Sequence, residues 1–186
     1  MATDRGPVVY EERYGWTRMT VGIGAGSVAL AVLLLVLDVP APVRWAGVVV
    51  FGGAALLTAF ECLGRRPAFR VDADGVLLGG APVRYRATTA RVPWADVAAV
   101  VVWRQSFPGR AMPWVGAVVR PDAVPPAGPG RGALSRPELR DRVPGLPEGV
   151  VPVVMCRAVN GWTLDRPALV SAVGAFAPGL PVLLDE

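Results

Sequence analysis

The 186-residue chain has no lysine and no histidine, one isoleucine and two cysteines, so all 19 of its basic residues are arginines. Without histidine or lysine it cannot form a Ser-His-Asp or Cys-His site, a Ser-Lys dyad, a Schiff-base lysine, a P-loop or a histidine-containing zinc site. An enzyme would need a carboxylate pair, but the acidic residues after the first third fall mostly in predicted turns, caps and a loop. We therefore expect a non-enzymatic protein with no cofactor and no metal.

The two cysteines, Cys62 and Cys156, lie 94 residues apart and lack CxxC spacing. This pattern does not indicate a disulfide scaffold or a metal site. Each cysteine lies in an apolar run, so we predict two small, buried hydrophobic side chains. A redox pair is the alternative interpretation.

Apolar sequence is abundant: 53% of the residues are hydrophobic, 18% are charged, and the mean hydropathy is +0.43. Residues 19–37 carry no charge, and a helix of that length, at about 1.5 Å per residue, nearly spans a hydrocarbon core of roughly 30 Å. Residues 45–63 form a second candidate span, and the connection 38–43 holds two prolines. The sequence therefore predicts a transmembrane helical hairpin. A cleaved signal peptide is the alternative for the first span, disfavoured by the three acidic residues before it.

Most of the arginines that flank the hairpin lie on one side of it. They precede the first span and follow the second, at Arg5, Arg13, Arg18, Arg65, Arg66 and Arg70. The connection carries only Asp38 and, at its edge, Arg44. The positive-inside rule then places both termini in the cytoplasm. We predict a multi-pass cell-membrane protein with a cytoplasmic tail, 1–18, and a cytoplasmic domain, 64–186.

Two features within the hairpin suggest specific contacts. Gly22 and Gly26 form a GxxxG pattern that permits close helix packing. We favour packing within the hairpin, with contact between chains in a homo-oligomer as the alternative. Arg18 and Glu61 lie at the same end of the hairpin and are predicted to pair, although each could equally extend to water by itself.

The domain begins with two apolar segments around the turn DADG, in which Gly75 can adopt a positive φ. The alternating segment 83–88 is predicted to be a strand that places Arg84 and Arg86 on one face. Together with the juxtamembrane Arg65, Arg66 and Arg70 they form a candidate surface for anionic lipid, with a merely solvated strand face as the alternative. We expect no nucleic-acid partner.

The rest of the domain is predicted to be mainly strands. Residues 98–107, 114–120 and 150–159 have the β-branched and aromatic composition of strands. Residues 121–150 contain seven prolines and five glycines and are predicted to be an inserted loop with a short helix capped by Ser135. Asp165 caps a final helix with Leu169, Val173 and Phe176 on one apolar face.

The segments FRVDADGV, VPWADVAAVVVW and LDRPALVSAVGAFAP, preceded by two spans, resemble a bacterial pleckstrin-homology-like (PH-like) membrane protein of actinobacterial type. The resemblance implies an α+β protein, in which an antiparallel sheet or partial barrel is capped by the C-terminal helix. Asp72, Trp94 and Asp96 match the pattern, and we assign the aspartates to turns and the tryptophan to the core.

Domains of this type present a surface to peptides, proteins or lipid headgroups. The expected function is therefore a non-catalytic integral membrane protein that presents an interaction domain at the cytoplasmic face. The alternative is a structural or assembly subunit that is recognised through its transmembrane hairpin.

Overall fold

The computed structural model describes residues 9–81, 84–107, 110–126, 131–133, 137–145 and 151–185. The protein is α+β, with two long apolar helices near the N-terminus followed by largely antiparallel sheets. Its elements are, in chain order, β1 (Tyr10–Arg13), α1 (Arg18–Val36), α2 (Ala41–Gly64), β2 (Pro67–Asp72), β3 (Gly75–Leu78), α3 (Tyr85–Thr88), β4 (Ala90–Pro93), β5 (Val97–Phe107), β6 (Arg110–Val119), β7 (Arg131–Ala133), α4 (Pro137–Arg140), β8 (Val153–Ala158), α5 (Arg166–Phe176) and β9 (Val182–Leu184).

Helices α1 and α2 are the two predicted apolar segments, and they pack against each other. Both are long and apolar enough to cross a membrane, and few of their side chains are buried. Helix α2 begins four residues earlier than predicted, because Pro42 lies in its first turn, where proline is favoured. The connection is correspondingly shorter, and Arg44 donates to the carbonyl oxygens of Leu37 (3.2 Å) and Val39 (3.3 Å) within it.

Part of the segment predicted to be a tail belongs to the folded domain. Strand β1 pairs antiparallel with β2, and Tyr10 and Tyr14 are buried in the core. The hairpin is therefore inserted between two adjacent strands of one sheet. The sequence prediction divided the chain at the hairpin because strand pairing across more than fifty residues leaves no local signal.

The strands form two sheets with a shared core. The first sheet has the order β1-β2-β3-β4, and the second has the order β7-β8-β6-β5-β9, in which only β5 and β9 run parallel. Helix α5 packs on β1 and β2. The shared core contains side chains from both sheets and from α5, including Phe69, Val71, Val76, Val100, Val102, Val115, Leu169 and Val173.

The second face of the five-stranded sheet has its own apolar cluster. Alternate residues of β5 face it, as the period of two requires. Leu139 and Val143, from the proline- and glycine-rich insertion, are buried in this cluster. The insertion was predicted to be a loop with one short helix, and α4 is that helix. The insertion also provides β7, which pairs with β8, and two buried apolar side chains, which the prediction did not include. The predicted cap Ser135 lies outside the described residues.

The turn signals of the first sheet are confirmed. Gly75 has a φ of 139° and abuts the backbone of Val92, so any side chain there would collide. The side chain of Asp72 accepts from the amide of Asp74 (3.0 Å), and its own backbone carbonyl accepts from Trp94 Nε1 (2.8 Å). Asp96 ends a 3-10 turn, and its carbonyl oxygen accepts from the amide of Arg120. Asp72, Trp94 and Asp96 therefore each have a structural role.

The C-terminal helix also follows its sequence signals. The Asp165 carboxylate accepts from the amide of Ala168 (3.0 Å), which is the predicted N-cap. Leu169 and Val173 are fully buried, and Phe176 packs against the same core. Strand β9 follows the helix and was not predicted, because three residues are too few for a periodic signal.

Candidate functional site

The segment between β1 and α1 fastens the hairpin to the domain. The Tyr14 amide donates to the carbonyl oxygen of Arg66 (3.0 Å), and the Gly15 amide donates to that of Gly161 (2.8 Å). The carbonyl oxygen of Gly15 accepts from the Cys62 thiol (3.3 Å) and from the Thr20 hydroxyl (3.1 Å). One short segment thus contacts α1, the end of α2 and the turn after β8.

A recess of about 500 Å³ lies at this attachment, and we call it the junction recess. Its hairpin wall comes from α1 and α2, and its domain wall comes from the ends of β6 and β8 and from neighbouring turns. Its lining residues are Tyr14, Gly15, Met19, Thr20, Ile23, Thr58, Glu61, Cys62, Ala81, Trp114, Cys156, Arg157, Ala158, Asn160 and Gly161. Volume and mixed lining are in the range of small-molecule sites.

The junction recess has one acidic and one basic side chain, on opposite walls. Glu61 belongs to the hairpin wall and Arg157 to the domain wall. Tyr14 lies within electrostatic reach of both. Burial raises the pKa of its hydroxyl, the charge of Arg157 lowers it, and Tyr85 and Glu61 raise it further. The recess therefore carries a separated pair of opposite charges.

Two buried side-chain nitrogens of the domain, Nε of Arg157 and Nε1 of Trp114, have no acceptor among the described residues, whereas Nη2 of Arg157 donates to the carbonyl oxygen of Thr88 (3.4 Å). The two side chains lie on opposite faces of the second sheet, because Trp114 pairs with Ala158 and Arg157 pairs with Val115. A buried donor without an acceptor costs about 1–3 kcal/mol.

The two cysteines also line the junction recess, and they are not joined by a disulfide. Cys62 is buried, as predicted, and Cys156 is half-buried. Burial raises the pKa of the Cys156 thiol, with a smaller opposing effect of Arg157, so the thiol stays protonated at neutral pH. Within the described ranges, no group of three or more acidic, cysteine or histidine side chains could hold a metal ion.

A second recess, of about 580 Å³, is lined by Arg66, Arg84, Tyr85, Arg86 and Ala87, and we call it the basic recess. The guanidinium of Arg66 lies over the rings of Phe60 (5.6 Å) and Tyr85 (5.4 Å). The recess therefore begins directly at the end of α2. It brings together three of the five arginines in the candidate anionic surface.

The element that presents Arg84 and Arg86 was predicted wrongly. Residues 85–88 form the one-turn helix α3, with Arg84 at its N-cap position, instead of a strand. The hydroxyls of Thr88 and Thr89 accept from the amides of Ala81 and Gly80 (2.7 and 3.0 Å) and close this turn. These side-chain hydrogen bonds favour the helical turn more strongly than the weak alternation of residue types favours a strand.

The other two arginines of that predicted surface lie elsewhere. Arg70 forms ion pairs with Glu11 (3.3 Å) and Asp72 (2.8 Å), so its charge is used within the first sheet. Arg65 has a left-handed backbone conformation at the end of α2 and lines a separate recess with Arg13. The structure therefore divides the predicted surface into three places.

The contacts predicted within the hairpin are not formed as expected. Gly22 and Gly26 face away from α2, and a Cβ on either would meet no atom within 4 Å in the described part of the chain. The close approach is instead at Gly47, where a Cβ would overlap the side chain of Leu34, whereas a Cβ on Gly24 would make an ordinary contact with Thr58. The predicted favoured role of Gly22 and Gly26, packing within the hairpin, is therefore wrong.

The predicted pair of Arg18 and Glu61 is not among the ion pairs that join described residues. Arg18 is exposed at the start of α1, and Glu61 lines the junction recess. Helical spacing places both residues at one end of the hairpin but does not determine their rotation about the helix axes. Glu61 instead lines the junction recess together with Arg157, a residue of the domain. The prediction considered residues next to the hairpin only.

Sequence reasoning did not identify Tyr14, Trp114 or Arg157 as site residues. Tyr14 lies in the predicted tail, and Trp114 was assigned only to a strand. Arg157 interrupts the apolar run VVPVVMCRAV, and this single charge in a buried strand was the one signal that pointed to a polar site.

No protein-family model, no curated protein and no solved structure matches the chain. Its function is therefore inferred from the hairpin and the two recesses.

Proposed function

We propose that the protein is a non-catalytic integral membrane protein. Its hairpin spans the cell membrane, and its β-rich domain is a PH-like interaction module at the cytoplasmic face. The basic recess binds anionic groups there, from lipid headgroups in the first instance and from an acidic peptide or protein segment in the second. The observation that carries the proposal is the position of this recess at the end of an apolar helix of spanning length.

The side chains of the hairpin support membrane placement. Large apolar residues cover the outside of α1 and α2, as on a surface that faces lipid and unlike the helix of a soluble core. Trp16 and Trp45 are exposed close to opposite ends of the hairpin, where tryptophan is favoured at membrane interfaces. Arg44, near the connection, has its guanidinium bound to backbone carbonyl oxygens. The remaining flanking arginines lie at the domain end.

The strand and helix order supports a PH-like module. Antiparallel strands precede a single long domain helix that packs on the first sheet. Two features depart from the simple pattern: β1 precedes the hairpin, and β9 follows the helix. Both add strands at sheet edges and leave the central order unchanged.

The charge of the basic recess supports an anionic ligand. Arg84 and Arg86 are exposed, and Arg66 follows α2 by two residues. Near an anionic leaflet each such arginine contributes about 1 kcal/mol, and the attraction falls off over a Debye length of roughly 8 Å at physiological salt. Only a recess next to the membrane obtains this contribution.

The test uses the full chain in nanodiscs with an environment-sensitive fluorophore at Ala87→Cys, after Cys62→Ser and Cys156→Ala. We expect the emission to shift to shorter wavelength when phosphatidylglycerol is added to phosphatidylcholine, and the shift to decrease at high salt. Arg84→Gln with Arg86→Gln should abolish the shift, whereas Arg142→Gln with Arg166→Gln, outside the recess, should retain it. Identical emission in neutral and anionic nanodiscs would exclude the lipid role.

The alternative function is an assembly subunit recognised through the hairpin. The outward-facing Gly22 and Gly26 favour it, because they leave space for a second helix. Purification from native membranes distinguishes the two functions. A partner lost with Gly22→Leu and Gly26→Leu, and kept with Arg84→Gln and Arg86→Gln, would support the alternative.

A further inference from the structure

The junction recess has no role in the function proposed above. It is separate from the basic recess, and the two share no lining residue. Its lining combines an acidic side chain, a basic side chain and apolar side chains of α1 and α2. This combination restricts the class of ligand that it can bind.

The depth of the recess along the hairpin is defined by its lining residues. Thr20 and Glu61 lie within one turn of the domain ends of α1 and α2, and Ile23 and Thr58 lie about one turn further in. A membrane around the hairpin would therefore place the charged part of the recess at the headgroup level. Ile23 would lie where acyl chains begin.

The charges determine which headgroup fits. A purely anionic headgroup would be repelled by Glu61, and a purely cationic ligand would be repelled by Arg157. A zwitterion satisfies both walls, because its phosphate can accept from Arg157 while its ammonium donates to Glu61. The donation requires N–H groups, which a primary ammonium has and a quaternary ammonium lacks.

The hydroxyl groups of the recess do not compete for such a ligand as donors. The Thr20 hydroxyl is bonded to Gly15, and the Thr58 hydroxyl donates to the carbonyl oxygen of Ala54 (2.9 Å). The charged side chains of the lining are Arg157, on the domain wall, and Glu61, on the hairpin wall.

We propose that the junction recess binds one phospholipid with a zwitterionic headgroup and a primary ammonium, of the phosphatidylethanolamine class. The phosphate contacts Arg157, the ammonium contacts Glu61, and the acyl chains pass Ile23 along the hairpin. This inference rests on the proposed membrane placement. The bound lipid connects the hairpin to the domain and holds the domain in one orientation at the membrane surface.

The test is native mass spectrometry of the full chain released from nanodiscs that contain equal amounts of phosphatidylethanolamine, phosphatidylglycerol and phosphatidylcholine with identical acyl chains. We expect one retained lipid, with phosphatidylethanolamine enriched about tenfold over each of the others, the ratio that one charge-assisted hydrogen bond produces. No enrichment, or enrichment of phosphatidylcholine, would overturn the proposal.

Two substitutions test the two walls separately. Arg157→Gln should lower retention of all three lipids, because the phosphate loses its cationic partner. Glu61→Gln removes the repulsion of anionic headgroups, so the ratio of phosphatidylglycerol to phosphatidylethanolamine should rise about tenfold. An unchanged ratio in Glu61→Gln would overturn the assignment of the ammonium to this wall, and with it the proposal.

The controls distinguish lipid binding in the junction recess from binding at the basic recess and from binding of a soluble ligand. Arg86→Gln, in the basic recess, should leave the lipid ratios unchanged. Excess soluble glycerophosphoethanolamine should not displace the lipid; displacement would assign the site to a soluble ligand. A chain that fails to enter nanodiscs would contradict the membrane placement itself.

Discussion

The aromatic side chain of Phe69 is the centre of the shared core. It is fully buried, its ring stacks on Trp162 at 6.2 Å between ring centroids, and the ring of Tyr10 approaches at 6.3 Å with an interplanar angle of 63°. These contacts connect β1, β2 and the segment before α5. Aromatic pairs of this geometry stabilise beyond the apolar area that they bury.

We expect Phe69→Ala to lower the free energy of unfolding by about 3–5 kcal/mol, through lost burial and the cavity that remains. Chemical unfolding in detergent, followed by tryptophan fluorescence, measures the change. The control is Val124→Ala at a side chain that is 86% exposed, where the change should stay within about 0.5 kcal/mol. Equal effects at the two positions would contradict the assigned core.

At the scale of elements, the two helices of the hairpin face each other at glycines other than those of the GxxxG pattern. A Cβ on Gly47 would overlap the side chain of Leu34, and a Cβ on Gly24 would lie 3.7 Å from Cγ2 of Thr58. Gly47→Val should therefore destabilise the hairpin by about 1–3 kcal/mol through overpacking. Gly26→Val is the matched control and should have little effect on the isolated chain. Thermal unfolding in detergent compares them, and a larger loss at Gly26 would contradict the observed packing.

Strand β1 makes the domain depend on sequence from both sides of the hairpin. A fragment of residues 64–186 lacks β1 and the buried Tyr10, whose hydroxyl accepts from the amide of Asp165 (3.0 Å). It also leaves an edge of β2 unpaired, so we expect this fragment to aggregate.

Joining residue 17 to residue 65 by a short glycine and serine linker should restore a soluble, folded domain. The ends are close, because the amide of Tyr14 bonds to the carbonyl of Arg66. Circular dichroism and size-exclusion chromatography compare the linked chain with fragment 64–186. A fragment that folds without β1 would show that the strand is dispensable.

The whole molecule has a topology that labelling can determine. We expect Ala41→Cys, at the start of α2, to react with an impermeant thiol reagent on intact cells, in a variant that carries Cys62→Ser and Cys156→Ala. Ala175→Cys, exposed on α5, should react only after permeabilisation. The opposite pattern would place the domain outside.

Burial raises the pKa of each of the three tyrosines of the chain above its ordinary value of 10.0. The protonated hydroxyls therefore favour the folded chain. Their contribution to stability is fully present below pH 10 and is lost as the pH rises above it, because tyrosinate forms more readily in the unfolded chain.

An alkaline titration should therefore show tyrosinate absorbance only together with the loss of circular dichroism. No lysine is present to titrate in this range. Tyr85→Phe should remove about one third of the absorbance change, since it removes one of three tyrosines. Tyrosinate that forms near pH 10 in a chain with intact structure would contradict the burial of these side chains.

The sequence alone predicted those elements that are determined by residues close to one another in the chain. An uncharged run of spanning length predicts α1, and a glycine that needs positive φ predicts the turn between β2 and β3. Asp165 and Pro167 predict the start of α5. The same reasoning found the arginines of the basic recess but not their grouping. The conformation of residues 84–88 depends on hydrogen bonds that the Thr88 and Thr89 hydroxyls accept from the amides of Ala81 and Gly80, and alternation of residue types does not reveal these bonds.

Only the tertiary structure decided how distant parts of the chain meet. Strand β1 pairs with β2 across the whole hairpin, and Glu61 and Arg157 line one recess although 96 positions separate them. Hydropathy, caps and turns act over a few residues, so they specify elements one at a time. Which elements meet depends on the burial of apolar area between them, and that area exists only after the chain has folded.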